Sequence, residues 1–259
     1  MTQEKRPLIL VCNDDGITAP GIRTLIRAMN ALGEVVVVAP GSAQSGMGHA
    51  ITINSTLRVD KGNHDAGPQT EYSCSGTPVD CVKLAVHVLL DRKPDLLVSG
   101  INHGSNSSVN VIYSGTMSAA VEGAMQNIPS IGFSLHEYDW DADFSGCEPF
   151  LRSIALDVLQ KGMPANTCLN VNFPPTSLAP YRGIRVCRQA HAKWVEEFDI
   201  RRDPRGKAYY WLTGEFINED QGEDTDEWVL KQGFVSVVPV QYDLTAYTTL
   251  EEWHNRLEE

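Results

Sequence analysis

"LILVCNDDGITAPGIRTLIRAMNALGEVVVVAP", residues 8 to 40, carries the reading of the fold. Leu8 to Cys12 is an unbroken apolar run, the pattern of a strand buried on both faces of a parallel sheet. Pro20 stands where a first helical turn tolerates it, and Ile22, Leu25, Ile26, Met29 and Leu32 follow at three- and four-residue spacing. Gly33 is expected to end that helix, and "EVVVVAP" supplies a second strand. Together they predict a β-α-β unit.

Further on, "PVDCVKLAVHVLLD" reads as a helix, "PDLLVSG" as a strand, "TMSAAVEGAMQN" as a small-residue helix and "PSIGFSL" as a strand. "FLRSIALDVLQKG" and "CLNVNFP" add another pair. The fold expected is α/β, a Rossmann-like, doubly wound, mostly parallel sheet forming the core over residues 1–178. Beyond Pro175 strand-like pieces ("GIRVCRQ", "KAYYWLTGEF", "GFVSVVPV") alternate with polar stretches, predicting a smaller β-rich C-terminal extension over residues 179–259. A capping-box signal from Thr249 to Glu252 closes it with a short helix. The acidic run Glu219 to Glu227 reads as a solvated loop and helix start. Trp194, Phe198, Tyr209, Tyr210, Trp211 and Phe216 fit either core positions or subunit contacts.

The composition excludes several classes of function. With 259 residues and 42% apolar side chains the chain can fill a real core. A formal charge of -12 argues against duplex nucleic acid as a partner, because that binding neutralises phosphates with Lys and Arg. Six cysteines without CxxC spacing read as reduced and mostly buried. Only five apolar residues precede Asn13, too few for a signal peptide, and no run approaches a membrane span, so the expected location is the cytoplasm.

Asp14 and Asp15 follow the first strand directly, two like charges that repel unless something positive lies between them. Adjacent strand residues point to opposite faces, so the pair converges only where the chain turns, and Gly16 permits that turn. Paired carboxylates at a strand's carboxyl end suit a hard divalent cation. A solvated turn with an N-cap is the commoner role for a bare pair of aspartates. The surrounding loops favour the cation: Ser45 in "PGSAQSG" and Asn102 in "SGINHGSN" end at the same sheet edge and carry hard neutral oxygens. The seven histidines form no zinc-type pair; His49 and His103 fit substrate contact or plain surface bonding equally. Gly-, Ser- and Asn-rich segments, among them Gly46 and "YSGTMSAA" at a helix start, offer backbone N–H groups to an anion such as phosphate. The dinucleotide fingerprint GxGxxG is absent after the first strand.

The stretches "NDDGITAPGI", "VVVVAPGSAQSG", "SGTPVDCVKLA", "PDLLVSGINHGSN" and "YSGTMSAAVEGA", with "LNVNFP" and "TDEWVLKQGFVSVVPVQYDLT", resemble in order the motifs of the SurE survival-protein family over nearly the whole chain. That family comprises metal-dependent nucleoside-monophosphate phosphatases. The resemblance implies one divalent ion, Mg²⁺ or Mn²⁺, on Asp14, Asp15, Ser45 and Asn102, with Asn13 beside it. It places Asn106, Ser114, Gly115 and Thr116, with Gly46, around the phosphate. Catalysis would rest on Asp14, Asp15 and Asn13, by direct attack of water or through an aspartyl-phosphate. It further implies a nucleoside 5'-monophosphate substrate, with 3'-monophosphates and short polyphosphate as further candidates, and homodimers or homotetramers built by exchange of C-terminal elements. Two stretches depart from the family pattern: Ser107 and Ser108 replace a hydrophobic residue and a glycine, and Gly48 with His49 falls where a serine is common. The rival readings are a non-catalytic nucleotide- or phosphate-sensing receiver-like module and a metal-dependent glycosyltransferase. The former lacks its third-strand acceptor aspartate, since that strand runs "DLLVSGIN", and the latter lacks its DxD spacing.

Overall fold

The structure, a computed structural model, describes residues 6–258. The chain opens with β1 (Leu8–Cys12), α1 (Pro20–Asn30) and β2 (Glu34–Pro40), the β-α-β unit expected, with Pro20 in the first helical turn. Helix α1 stops at Asn30, before Gly33, and that glycine has a different purpose. A Cβ on Gly33 would lie 2.4 Å from the carbonyl oxygen of Pro7, so the position is small because the chain entering β1 passes close by.

Two strands not foreseen follow: β3 (Val59–Gly62) and β4 (Thr70–Cys74), short and polar enough to lack a clear strand pattern. Helix α2 (Pro78–Leu84), capped by Thr77 and Asp80, runs on through a π-helical turn at Ala85–Leu89. Then come β5 (Leu96–His103), α3 (Asn110–Tyr113), α4 (Gly115–Met125), β6 (Ser130–Leu135), α5 (Glu148–Lys161) and β7 (Thr167–Phe173). The rest is β8 (Ile184–Val186), β9 (Ala192–Arg202), β10 (Ala208–Asn218), α6 (Asp226–Lys231), β11 (Val235–Gln241) and α7 (Leu250–Leu257).

Nine strands form one sheet in the order β3-β4-β2-β1-β5-β6-β7-β11-β8, parallel from β4 through β7. Ile9 and Val11 of β1 face a core with α1 and α5; Leu8, Leu10 and Cys12 face the other side with α2 and α4. That two-sided burial is why β1 is apolar throughout. The chain winds outward from β1 through β2 to β4, then returns to β5 on the other flank, so the strand order reverses between β1 and β5. Ligands in such sheets settle beyond the carboxyl ends at that reversal.

The C-terminal stretch divides. Strands β11 and β8 add to the central sheet, β11 antiparallel to β7. Among the described residues, strands β9 and β10 pair only with each other, from Ala192↔Asn218 to Arg202↔Ala208. Their aromatic side chains are not core: Trp194, Phe198, Tyr209, Tyr210 and Trp211 are all exposed. Helix α7 forms where expected, but Thr249 makes no side-chain cap; its hydroxyl donates to Ala246 O within the preceding turn. The acidic run is solvated only in part, since Asp226 and Glu227 are buried. All six cysteines carry free thiols, five of them buried. Among the described residues no helix is long and apolar enough to cross a membrane.

Candidate active site

The turn after β1 brings Asn13, Asp14 and Asp15 to the reversal point. Asn13 is fully buried; its Nδ2 donates to Gly16 O at 2.8 Å, while its Oδ1 has no partner among the described residues. Asp14 is 3% exposed and meets the start of α4, where the Thr116 hydroxyl donates to Asp14 Oδ1 at 2.5 Å. Burial, then the neighbouring Asp15 charge, pushes the Asp14 carboxyl up to about 6, against the bonds from Thr116. Gly115 admits this approach: a Cβ there would lie 2.7 Å from the Asp14 Cβ.

Asp15 turns the other way. Its Oδ2 accepts the His103 backbone N–H at 3.1 Å and lies 3.1 Å from His103 Nδ1. This bond with Asp15 holds the imidazole pKa above its ordinary value. The His103 ring stacks on Trp140 at 5.2 Å and meets Phe144 edge-on at 5.0 Å. A register shift between Ser99 and Asn102 bends the end of β5, setting Asn102 and His103 beside the β1 turn. The Asn102 Nδ2 donates to His103 O and Gly104 O, which leaves its Oδ1 clear of both bonds.

One cavity of about 400 Å³ at this edge is lined by Asp14, Ser45, Gly46, Asn102, Asn106 and Ser114. His103, Tyr113, Tyr138 and Trp194 complete much of its wall, and no Lys or Arg is among the residues lining it. Of the side chains picked out in the sequence, Asp15 reaches this wall through His103, and Gly115 and Thr116 stand behind Asp14 rather than on the lining. The Thr116 hydroxyl is committed to Asp14, which removes it as a free donor to an anion.

The 104–108 loop is held by residues that sequence reasoning did not assign. Asn172 Oδ1 accepts Asn106 N at 2.8 Å, and Asn170 Nδ2 donates to Asn106 O at 2.8 Å. Asp226 accepts the backbone N–H of Ser108 and of Ala190, while the Ser107 hydroxyl donates to Glu227 at 2.5 Å. Ser108 sits at φ 52°, the region that favours glycine, which is the residue expected there from the family pattern. Its hydroxyl bond to Ala190 O helps to hold that conformation. The signal for Asn170 and Asn172 was present: two asparagines at period two in an otherwise apolar strand share one face. On the Ser45 side, Gly48 takes φ +54° and donates to Tyr113 O, and His49 Nε2 lies 3.2 Å from Glu122 on α4.

Fold and site together define a Rossmann-like α/β protein with an acidic, oxygen-lined cavity at the carboxyl edge of its sheet. The chain belongs to the survival protein SurE family, whose model matches residues 9–196. It is 63% identical over 250 residues to 5'-nucleotidase SurE of Flavobacterium psychrophilum, covering 96% of this chain and 97% of that one. Identity to 5'-nucleotidase SurE of Bacteroides fragilis is 50% over 253 residues, covering 96% and 97%. The crystal structure of the SurE protein from Aquifex aeolicus superposes with a TM-score of 0.84 at 39% identity, covering 98% of this chain and 100% of that one.

Proposed function

We propose that the protein is a divalent-cation-dependent 5'-nucleotidase that hydrolyses nucleoside 5'-monophosphates to nucleoside and orthophosphate. The observation that carries this reading is the convergence of Asp14 and Ser45, from two loops, and Asn102, from the end of β5, on one cavity to whose wall Asp15 is tied. Relatives named 5'-nucleotidase SurE, with 63% and 50% identity over nearly the full length, support the activity. Short polyphosphate and 3'-monophosphates fit the same chemistry.

The residues suit a hard cation. Two carboxylates, a hydroxyl and an amide are oxygen donors, Asn13 Oδ1 is buried without a partner, and no Lys or Arg lines the cavity to balance the acids. Among the described residues no three His, Cys, Asp or Glu side chains cluster for an ion, so Ser45 and Asn102 are needed to complete the set. Asp14, Asp15, Ser45 and Asn102 would hold magnesium or manganese. When bound, such an ion supplies charge neutralisation to the phosphoryl oxygens. The chain's own residues do the rest: Thr116 orients the Asp14 carboxylate, His103 fixes Asp15, and Gly46, Asn106 and Ser114 border the space left for the phosphate. The N-terminus of α4, capped by the Ser114 hydroxyl, adds a favourable field for negative charge. A cytoplasmic location and assembly as a homodimer or homotetramer, by exchange of C-terminal elements, belong to the same reading.

The test is phosphate release from AMP, GMP, p-nitrophenyl phosphate and short polyphosphate, with and without Mn²⁺ or Mg²⁺. Release from the monophosphates only with the cation is the expected result. No release with any cation would leave the sensing module as the better account.

A further inference from the structure

The oxygen-lined cavity does not end at its polar side chains. A second cavity of about 450 Å³ adjoins it, and Gly46, Tyr113 and Trp194 line both. The outer wall of the second comes from one face of the β9–β10 ribbon. Side chains alternate along a strand, so Trp194, Glu196 and Phe198 share that face, and the register sets them opposite Phe216, Gly214 and Leu212. Gly214 carries no side chain, and at φ +152° a Cβ there would lie 2.6 Å from Val195 O. The Glu196–Gly214 rung is therefore a notch between two apolar rungs, Trp194–Phe216 and Phe198–Leu212.

The Trp194 ring is pre-set rather than loose. Its Nε1 donates to Asn110 Oδ1 at 2.8 Å, and Phe216 lies 5.5 Å away at 59°. Tyr113 stands across the same space, and both aromatic side chains are exposed. Nothing within the described residues consumes these faces in core packing.

We infer that the second cavity is a nucleobase subsite and that it selects guanine; the inference rests on the nucleotidase reading above. A nucleoside monophosphate carries a charged phosphoryl group and a flat, apolar-faced base at opposite ends of a ribose. A polar cavity and an apolar one that share an aromatic wall match that division. Every base has a π-face to lay on Trp194, and Gly214 leaves room for it in the notch. Glu196, which lines the notch, supplies the selection. A carboxylate accepts two hydrogen bonds side by side, and guanine presents N1–H next to its 2-amino group. Adenine offers one donor beside a ring acceptor on that edge and is the poorer match.

The experiment measures kcat and KM for GMP, AMP and ribose 5-phosphate, a substrate with no base, on the wild-type protein and on Trp194→Ala, Trp194→Phe and Glu196→Gln. Loss of one base–aromatic stack predicts that Trp194→Ala lowers the GMP to ribose 5-phosphate ratio of kcat/KM about tenfold, mainly through KM. Trp194→Phe, which keeps a ring, restores most of it. Glu196→Gln lowers the GMP to AMP ratio about threefold, the scale of one exposed hydrogen bond. If Trp194→Ala changes hydrolysis of GMP and ribose 5-phosphate alike, the subsite is overturned while the phosphatase stands. An unchanged GMP to AMP ratio in Glu196→Gln overturns the guanine assignment. A wild-type protein inactive on all three substrates overturns the nucleotidase reading and the subsite with it.

Discussion

Asp14 and Asp15 resolve their mutual repulsion by diverging, Asp14 onto the start of α4 and Asp15 onto His103. Asp14 is the costlier of the two, because its charge is buried and burial has already pushed its carboxyl up to about 6. Replacing it with Asn keeps the shape and removes that charge. Asp14→Asn is therefore expected to lower kcat/KM on nucleoside monophosphates by about 100-fold, the scale of a lost electrostatic partner. The cation-free variant melts no lower than the wild type by calorimetry. Full cation-dependent turnover would refute the role given to Asp14. His103 holds Asp15 from the cavity wall, so His103→Ala is expected to cost about tenfold in activity, as loss of an outer partner does. A weakened apparent cation affinity in the same titration separates this from simple misfolding.

Helix α4 links the two sides of the site. Its first turn meets Asp14, and further along Glu122 receives Lys83 Nζ at 2.7 Å and lies beside His49 on the loop that carries Ser45. Burial pushes the Glu122 carboxyl up, but the bonds from His49, Lys83 and Gln126 outweigh it and bring it down to about 2. A carboxyl whose folded pKa is depressed stabilises the protein in full above its unfolded value, 4.5 for this group. That contribution is lost as pH falls from there through about 2. Urea unfolding midpoints measured between those limits are expected to fall with pH in the wild type and to flatten in Glu122→Gln. An equal slope in both proteins would show that the cluster contributes nothing.

The molecule as a whole leaves its C-terminal apolar surface uncovered. Phe198, Ile200, Tyr210 and Trp211 stand exposed on the distal half of the β9–β10 ribbon, a surface that a lone protein in water does not favour. Leu250, Trp253 and Leu257 form a second exposed stripe at helical spacing on α7. Sedimentation velocity is expected to show a dimer or tetramer. Replacing both Phe198 and Ile200 with Ser shifts it toward monomer at micromolar concentration. A wild type that sediments as a monomer would remove exchange of C-terminal elements as an explanation.

The amino-acid sequence by itself determined the β-α-β beginning, the mostly parallel run of the central strands and the carboxyl edge at which Asp14, Ser45 and Asn102 lie. Those features are written in local patterns: an apolar run buried on both faces, helical spacing, and polar residues where a strand stops. Only the tertiary structure decided the rest. It showed that Thr116 serves Asp14, that His103 anchors Asp15, and that Asn170, Asn172, Asp226 and Glu227 brace the 104–108 loop. It also turned Gly33 from a helix stop into a close approach, and part of a solvated acidic run into buried support. The physical reason is distance along the chain: Ser107 and Glu227 are 120 residues apart, and no local pattern encodes a hydrogen bond formed only when the sheet closes.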